Sequence, residues 1–587
     1  MLTARVVPDL SGLDKIFDYA VPDGLDVRLG DLVRIPLAGR RVGGWVVRLS
    51  PADADAPVDD LKPIAKVTGR GPDRSMLGIV RWASDRWGAG RVRPFLVAAS
   101  PPGAVRGIPL SRRSSTPVPE PVHALATAVL GRGGGVVRVT PAEDPLGIVL
   151  AACRLGPTLV VCPSVDEAKL LAVRLRRTGR TVALAPGEWA AAAGGVDVVI
   201  GARGAAWAPC ADLAACVVID EHDEALQEER TPTWHARDVV AERARRAGVP
   251  LLLVSPCPTV VAIVEHGTPA SASRAEERDG WPVVEIVDRS DDTHRSLVTS
   301  ALVRQLQDHD RTVVCVSNTT GRARLLACRA CRAIQRCEVC EAALGQTDDG
   351  SFACARCGAV RPAVCQACGS TAFANLRPGV SRLREELEAA AQRPVVAVTG
   401  ASGELLASGV YVGTEAVLHR IHRADTVAFL DIDAELLAPR YRAAEQAMTL
   451  LVRAARLLGP RADGSRLLVQ TRLPRHEVLQ AALLADPGRM FEPEWQRRQL
   501  LRFPPAAALA RVTGDGAPEF AASLPSRQQS GHQGDQTAAE NDVEVSGSEG
   551  VGFLVRAGDW ATLGRALAAT PRPAKARLRI EVDPPRL

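Results

Sequence analysis

Between positions 328 and 368 the chain carries eight cysteines in four Cys-x-x-Cys pairs, and no other stretch constrains its fold as tightly. The pairs are Cys328 and Cys331, Cys337 and Cys340, Cys354 and Cys357, and Cys365 and Cys368. A pair at this spacing aims two thiolates at one ion. Two pairs complete the tetrahedral sulfur shell that Zn²⁺ prefers, so four pairs imply two zinc ions. The thirteen residues between Cys340 and Cys354 form a loop long enough to bring the inner pairs to one ion and leave the outer pairs the other. Joining neighbours in sequence instead leaves five residues between Cys331 and Cys337 to reverse the chain, which is cramped but open. Gly358 and Gly369 each follow the second cysteine of a pair, where knuckle turns take positive φ. Disulfides or a redox dithiol are the competing readings. The start of the chain has no secretory core, and a single Cys-x-x-Cys would suit thioredoxin chemistry better than four. Closed four-sulfur sites hold folds together and hydrolyse nothing.

A length of 587 residues requires several domains. Hydrophobic content of 46% with 24% charged residues is that of a soluble chain, and no run approaches the roughly 20 apolar residues of a membrane span. A cytoplasmic protein without membrane contact is the expectation. The other cysteines (Cys153, Cys162, Cys210, Cys216, Cys257, Cys315) lie in or beside apolar runs, as small core residues do. Net charge is +5, yet Met1 to Ser115 alone hold 18 Arg and Lys against 12 Asp and Glu, an excess of 6 that leans toward a polyanion partner.

The front of the chain, residues 1 to 50, alternates apolar and polar positions in short runs broken by glycines, the pattern of a small β-barrel or sheet. Within it, Phe17-Asp18-Tyr19 sets a carboxylate between two aromatics. Aromatics can stack on an unpaired base while a carboxylate takes its donor edge, although strands use such residues for packing too. Leu77, Val80, Ala83 and Trp87 stand at helical spacing ahead of a basic turn at Arg91 to Phe95, which suits a winged helix, and Pro101 to Pro121 reads as a linker. Apolar runs then alternate with helical patterns at Val136 to Val139, Thr158 to Val161, Val196 to Ile200, Ala215 to Ile219 and Pro250 to Val254. A second series follows at Thr312 to Val316, Pro394 to Val398, Val410 to Val412, Thr426 to Leu430 and Leu467 to Val469, interrupted after its first strand by the cysteine array. Two tandem α/β lobes with parallel sheets are the plan of a motor ATPase. Gly514 to Gly550 is polar and reads as a disordered insertion in a final α+β piece.

Taken together, these residues resemble the PriA family of bacterial primosomal replication-restart proteins, in an actinobacterial-like form. The resemblance is carried by Ile16-Phe17-Asp18-Tyr19, Gly30-Asp-Leu-Val-Arg-Ile-Pro36, Ile200-Gly-Ala-Arg-Gly-Ala-Ala206, Ile219-Asp-Glu-His-Asp223, Trp234-His-Ala-Arg-Asp238, the cysteine array, Leu430-Asp-Ile-Asp433, Val469-Gln-Thr471, Pro504-Pro505 and Val582-Asp-Pro584. It implies a multidomain α/β chain: a 3′-DNA-end-binding β domain (1–72), a winged-helix-like module and linker (73–121), two RecA-like helicase lobes (122–285 and 286–480, the second with a double zinc-ribbon insertion at 322–378), and a C-terminal α+β domain (481–587, with the insertion 514–550). It also implies that zinc joins Cys328, Cys331, Cys365 and Cys368 at one site and Cys337, Cys340, Cys354 and Cys357 at the other. Phe17, Asp18 and Tyr19 become the DNA-binding residues, with Asp18 contacting a base.

Three departures bear on ATP. The family's first lobe carries Gly-x-x-x-x-Gly-Lys-Ser/Thr after its first strand, where amides and Lys cradle phosphates. This chain has Thr140-Pro-Ala-Glu-Asp-Pro-Leu-Gly147, with no Lys, two prolines lacking amide donors and two carboxylates. Gly131 and Gly133 to Gly135 lie at the wrong end of the strand to replace it. Asp220-Glu221 could still hold Mg²⁺, and reads as a relic of a nucleotide site. The family's last arginines fall on Leu457 and Pro460, leaving Arg453 and Arg456 out of register, and losing such a charge costs about 10³ to 10⁵ in hydrolysis rate. The expected protein is a restart scaffold that binds forks, 3′ ends and single strands, recruits other primosome proteins and helps reload the replicative helicase without ATP-driven unwinding. The alternatives are an active 3′ to 5′ helicase with an atypical ATP/Mg²⁺ site, and a zinc-ribbon protein that no longer binds DNA.

Overall fold

The computed structural model describes residues 2–13, 15–51, 61–290, 296–317, 326–347, 350–375, 380–398, 409–525, 543–548, 552–573 and 576–586. The chain forms two compact units. One comprises Met1–Val137, Asp144–Val254 and Pro504–Pro584; the other comprises Arg138–Glu143, Ser255–Phe503 and Pro585–Leu587.

The first unit begins with an antiparallel sheet whose strands run in the order Phe17–Val21, Leu2–Pro8, Arg40–Pro51, Leu32–Leu37, Lys66–Gly69. Alternation drives one face inward: Ala4, Val6, Tyr19, Val21, Val33, Ile35 and Val46 are buried together. The helix Arg74–Arg86 starts where Asp73 accepts the Met76 amide, and Arg93–Ala99 follows. Residues 73–121, where a winged-helix-like module is expected from sequence, hold these two helices and no strand. A parallel sheet then orders Gly134–Arg138, Leu251–Ser255, Ala215–Ile219, Thr158–Val161, Val198–Gly201 and Val182–Leu184. The five runs expected from sequence are present. Val182–Leu184, three residues long, is too short to leave a periodic signal.

The unit closes with an antiparallel sheet in the order Glu544–Ser548, Gly552–Ala557, Ala508–Thr513, Arg579–Val582, with the helices Ala517–Ala522 and Trp560–Ala569. This narrows the insertion expected at 514–550. Ala517, Phe520 and Ala521 are buried on one helical face with Leu524 just beyond it, and Glu544–Ser548 pairs with Gly552–Ala557, so both ends belong to the fold. Residues 526–542 lie outside the described residues.

The second unit is built on a parallel sheet in the order Val283–Asp288, Arg466–Thr471, Thr426–Phe429, Val313–Val316, Val410–Gly413, Val395–Val398. All five expected strands are there. The sixth, Val283–Asp288, pairs in parallel with Arg466–Thr471, so this sheet begins ahead of the boundary drawn at 286. The helix Ala443–Leu458 buries Ala447, Leu451, Ala454, Ala455 and Leu458 against it at i, i+3, i+4 spacing. The cysteine array leaves the sheet after Val313–Val316, held by two small antiparallel sheets, Leu326–Cys328 with Phe373–Asn375 and Gly345–Gln346 with Phe352–Ala353 and Val360–Arg361.

Candidate functional site

The eight array cysteines gather into two tetrads, Cys328, Cys331, Cys365, Cys368 and Cys337, Cys340, Cys354, Cys357, the sulfurs of each lying within 4.8 Å of one another. This is outer pair with outer pair and inner with inner. Each pair closes on a turn in which the amide after the second cysteine donates to the carbonyl of the first: Arg332 to Cys328, Glu341 to Cys337, Gly358 to Cys354 and Gly369 to Cys365. All four of those residues take positive φ, from 59° to 78°. Glycine marked only two of these knuckles in the sequence; Arg332 and Glu341 pay the left-handed strain without it. Cross-pair sulfur separations of 3.4 to 3.5 Å stand close to the roughly 3.8 Å edge of a tetrahedron with Zn–S bonds of about 2.3 Å, so both sets fit zinc. The hydrogen bond between Cys340 and Cys354 draws the Cys354 thiol down, and the Cys331 amide draws Cys328 down, toward the thiolate form that zinc takes.

On the N-terminal sheet the register sets Arg5 opposite both Asp18 and Arg48, a polar row across three strands. Arg5 Nε donates to Asp18 Oδ1 at 3.1 Å, and both side chains are about half exposed. Phe17 is part-buried against the core, with Lys15 Nζ 5.9 Å from its ring centroid. Tyr19 corrects the sequence reading. It is 3% exposed, its hydroxyl donates to the Pro36 carbonyl at 3.1 Å, and burial pushes its phenol up. Alternation along the strand puts residues 17 and 19 on the core side and turns only residue 18 outward. Tyr19 is a packing residue and not a base-stacking platform.

At the expected phosphate loop, Asp144 caps the helix Pro145–Cys153 with its own carboxylate, accepting the Leu146 amide at 3.0 Å. Arg174 grips that carboxylate with both terminal nitrogens, one at 2.8 Å, and holds Asp144 below the usual carboxylate range. A helix N-terminus is where a phosphate would dock. Here one of the chain's own anions and its matching cation fill the place. No motif marked Arg174. In the second unit, Thr140 Oγ1 donates to Glu143, and the Pro141 carbonyl accepts from Arg456 Nε at 2.8 Å, which is where that out-of-register arginine goes.

Asp220 ends the strand Ala215–Ile219 with φ of +48°, and Glu221 follows in the core. The Glu221 carboxylate lies 3.4 Å from the Arg237 guanidinium, their side chains 0% and 2% exposed. Arg237 also pairs with Asp238 at 3.0 Å, and Asp238 with Arg86 at 3.3 Å. Burial opposes ionisation of Asp238, but the guanidinium groups of Arg237 and Arg86 hold it low. Glu221 is therefore one end of a buried four-membered charge chain. In the second unit, burial pushes Asp431 up to about 7, with Asp433 adding like-charge repulsion.

Residues 5–95 match the family described as the 3'DNA-binding domain (3'BD) of PriA. Over 569 residues, 86% of this chain and 85% of the relative, the chain is 29% identical to the probable replication restart protein PriA of Mycobacterium tuberculosis. The chain resembles PriA. A second PriA, the replication restart protein of Bacillus subtilis, is 26% identical over 348 residues, which span 54% of this chain and 43% of that protein. Among solved structures, Saccharomyces cerevisiae Dbp5 bound to RNA and ADP BeF3 is similar with a TM-score of 0.34 and 10% identity, covering 73% of this chain and 98% of that one. The PriA likeness thus rests on sequence, and it embraces the sheet that carries Asp18 as well as the cysteine array. No helix among the described residues is long and apolar enough to cross a membrane.

Proposed function

We propose that the chain is a replication-restart protein that binds forked or 3′-ended DNA and supports reloading of the replicative helicase, with two structural zinc ions and without ATP-driven unwinding. DNA contact is assigned to residues 1–72, with Asp18 as the base-contacting group and Arg5 and Arg48 beside it for phosphate. Other primosome proteins are the expected partners, met through the zinc module.

The loss of the motor is carried by one observation: the helix N-terminus at Pro145 is already occupied by Asp144 under Arg174. A triphosphate arriving there would meet a carboxylate, and displacing it would break a two-nitrogen ion pair without a lysine to replace it. The sequestration of Glu221 by Arg237 points the same way, because a carboxylate bound into a core ion pair is a poor base for water. The test is ATP turnover with and without forked DNA. The expected result is no DNA-stimulated hydrolysis alongside salt-sensitive fork binding. Hydrolysis that Asp220→Ala abolishes would establish an atypical nucleotide site in its place.

A further inference from the structure

The two tetrads sit in different electrostatic surroundings. Four thiolates around one Zn²⁺ carry a net charge of −2, a costly object to bury without a counter-charge. In the outer tetrad Cys331 and Cys368 are exposed, so water shares that cost. Gln335 Nε2 lies 3.6 Å from Cys365 Sγ, and Arg361 reaches Gln335 Oε1 at 3.3 Å and the Val364 carbonyl at 2.7 Å.

The inner tetrad has three buried cysteines and the fourth half-buried. Beside it stands Arg356, between Cys354 and Cys357 in their own knuckle and 8% exposed. Its terminal nitrogens donate to two carbonyls, Cys340 at 3.0 Å within the tetrad and Ala438 at 3.1 Å in the chain that follows the strand Thr426–Phe429. Its Nε meets no acceptor, and the negative charges that act on it are the Cys340 and Cys354 sulfurs together with Glu494, a carboxylate already paired with Arg497 and Arg498. Close by, the Ala343 amide donates to the Leu437 carbonyl at 2.7 Å, a second tie between the same two segments.

Glu494 is shared with Arg497 and Arg498, so the buried Arg356 guanidinium gains from the nearby sulfurs, Cys340 first, and a buried tetrathiolate cluster needs a positive charge. We propose that Arg356 is the counter-ion of the inner zinc, and that through Ala438 it couples metal occupancy at that site to attachment of the zinc module to the second α/β sheet. The inner zinc is then the anchoring ion and slow to leave; the outer zinc, two of whose cysteines are open to water, leaves first. The inference rests on both tetrads binding zinc, and a metal count of two on the purified chain checks that reading separately.

The experiment is zinc release from the full chain to a coloured chelator, followed as a time course. The parent protein should lose one zinc quickly and one slowly. Arg356→Met should speed the slow phase by about ten- to a hundredfold, the usual cost of losing a partner that supports metal ligands, and leave the fast phase alone. Arg356→Lys, which keeps the charge, should retain most of the slow phase. A protease time course should show the 322–378 module cut earlier in Arg356→Met than in the parent. A parent that releases both ions at one rate, or an Arg356→Met slow phase unchanged, would overturn the proposal. Should Arg356→Met fail to fold, Arg356→Lys decides: a preserved slow phase supports the counter-ion, and its loss means that shape rather than charge was needed.

Discussion

Tyr19 and Asp18 are neighbours with opposite fates, because successive side chains of a strand point to opposite faces. Tyr19→Phe removes only the hydrogen bond to Pro36. It is expected to cost about 1 kcal/mol of stability in denaturant melts and to leave binding to a 3′-ended DNA unchanged. Asp18→Ala should do the reverse, weakening 3′-end binding measured by fluorescence anisotropy while the melting curve stays put, since its ion pair with Arg5 is half exposed and worth little. Glu221 and Arg237 form the opposite kind of pair. Arg237→Ala strands a buried carboxylate and is expected to destabilise the first unit by about 3–5 kcal/mol, read from tryptophan fluorescence during denaturant unfolding. A stability change below about 1 kcal/mol would mean that Glu221 is not held as the structure has it.

Elements extend the same reasoning. The four zinc knuckles share one turn, and two of them use glycine at the left-handed position. Gly358→Ala imposes about 1–2 kcal/mol of left-handed strain, and because folding of the module and metal binding are one equilibrium, zinc retention should weaken about tenfold. The helix Pro145–Cys153 brings a pH signature. Asp144 is held below its ordinary value by Arg174, so its stabilising contribution is complete at neutral pH and is lost as pH falls through the depressed folded-state pKa. Asp144→Asn should therefore lower the melting temperature at pH 7 only slightly, the ion pair being half exposed, with the difference closing below about pH 3. A difference that persisted at low pH would assign the effect to the cap hydrogen bond instead of the charge. The helix Ala443–Leu458 shows how a motif can be reassigned without losing its element. Its core face is intact while Arg456 spends its guanidinium on the Pro141 carbonyl.

At the scale of the molecule, a line of alternating charges runs from Arg86 through Asp238 and Arg237 to Glu221, joining a helix inside the segment that matches the DNA-binding family to the end of a lobe strand. Glu221 is thereby tied to the segment that matches the DNA-binding family. Binding of the whole chain to a forked substrate should be strongly salt-dependent, log affinity falling linearly with log salt at about 0.9 per phosphate neutralised. A flat salt profile would leave a zinc-ribbon interaction protein as the better description.

The sequence by itself determined the elements and their kinds. Alternating runs specified the front sheet, apolar runs of strand length specified ten strands of the two parallel sheets, and Cys-x-x-Cys spacing specified two four-sulfur sites while loop length only favoured joining inner pair to inner pair. These are local signals, set by side-chain periodicity and chain reach. Only tertiary structure decided what the charged residues do. Arg174 lies thirty residues from Asp144, Arg237 sixteen from Glu221, and Arg356 eighty-two from Ala438. Whether a carboxylate is a metal ligand, a helix cap or half of a buried ion pair depends on which cation the fold brings to it, and no spacing along the chain encodes that.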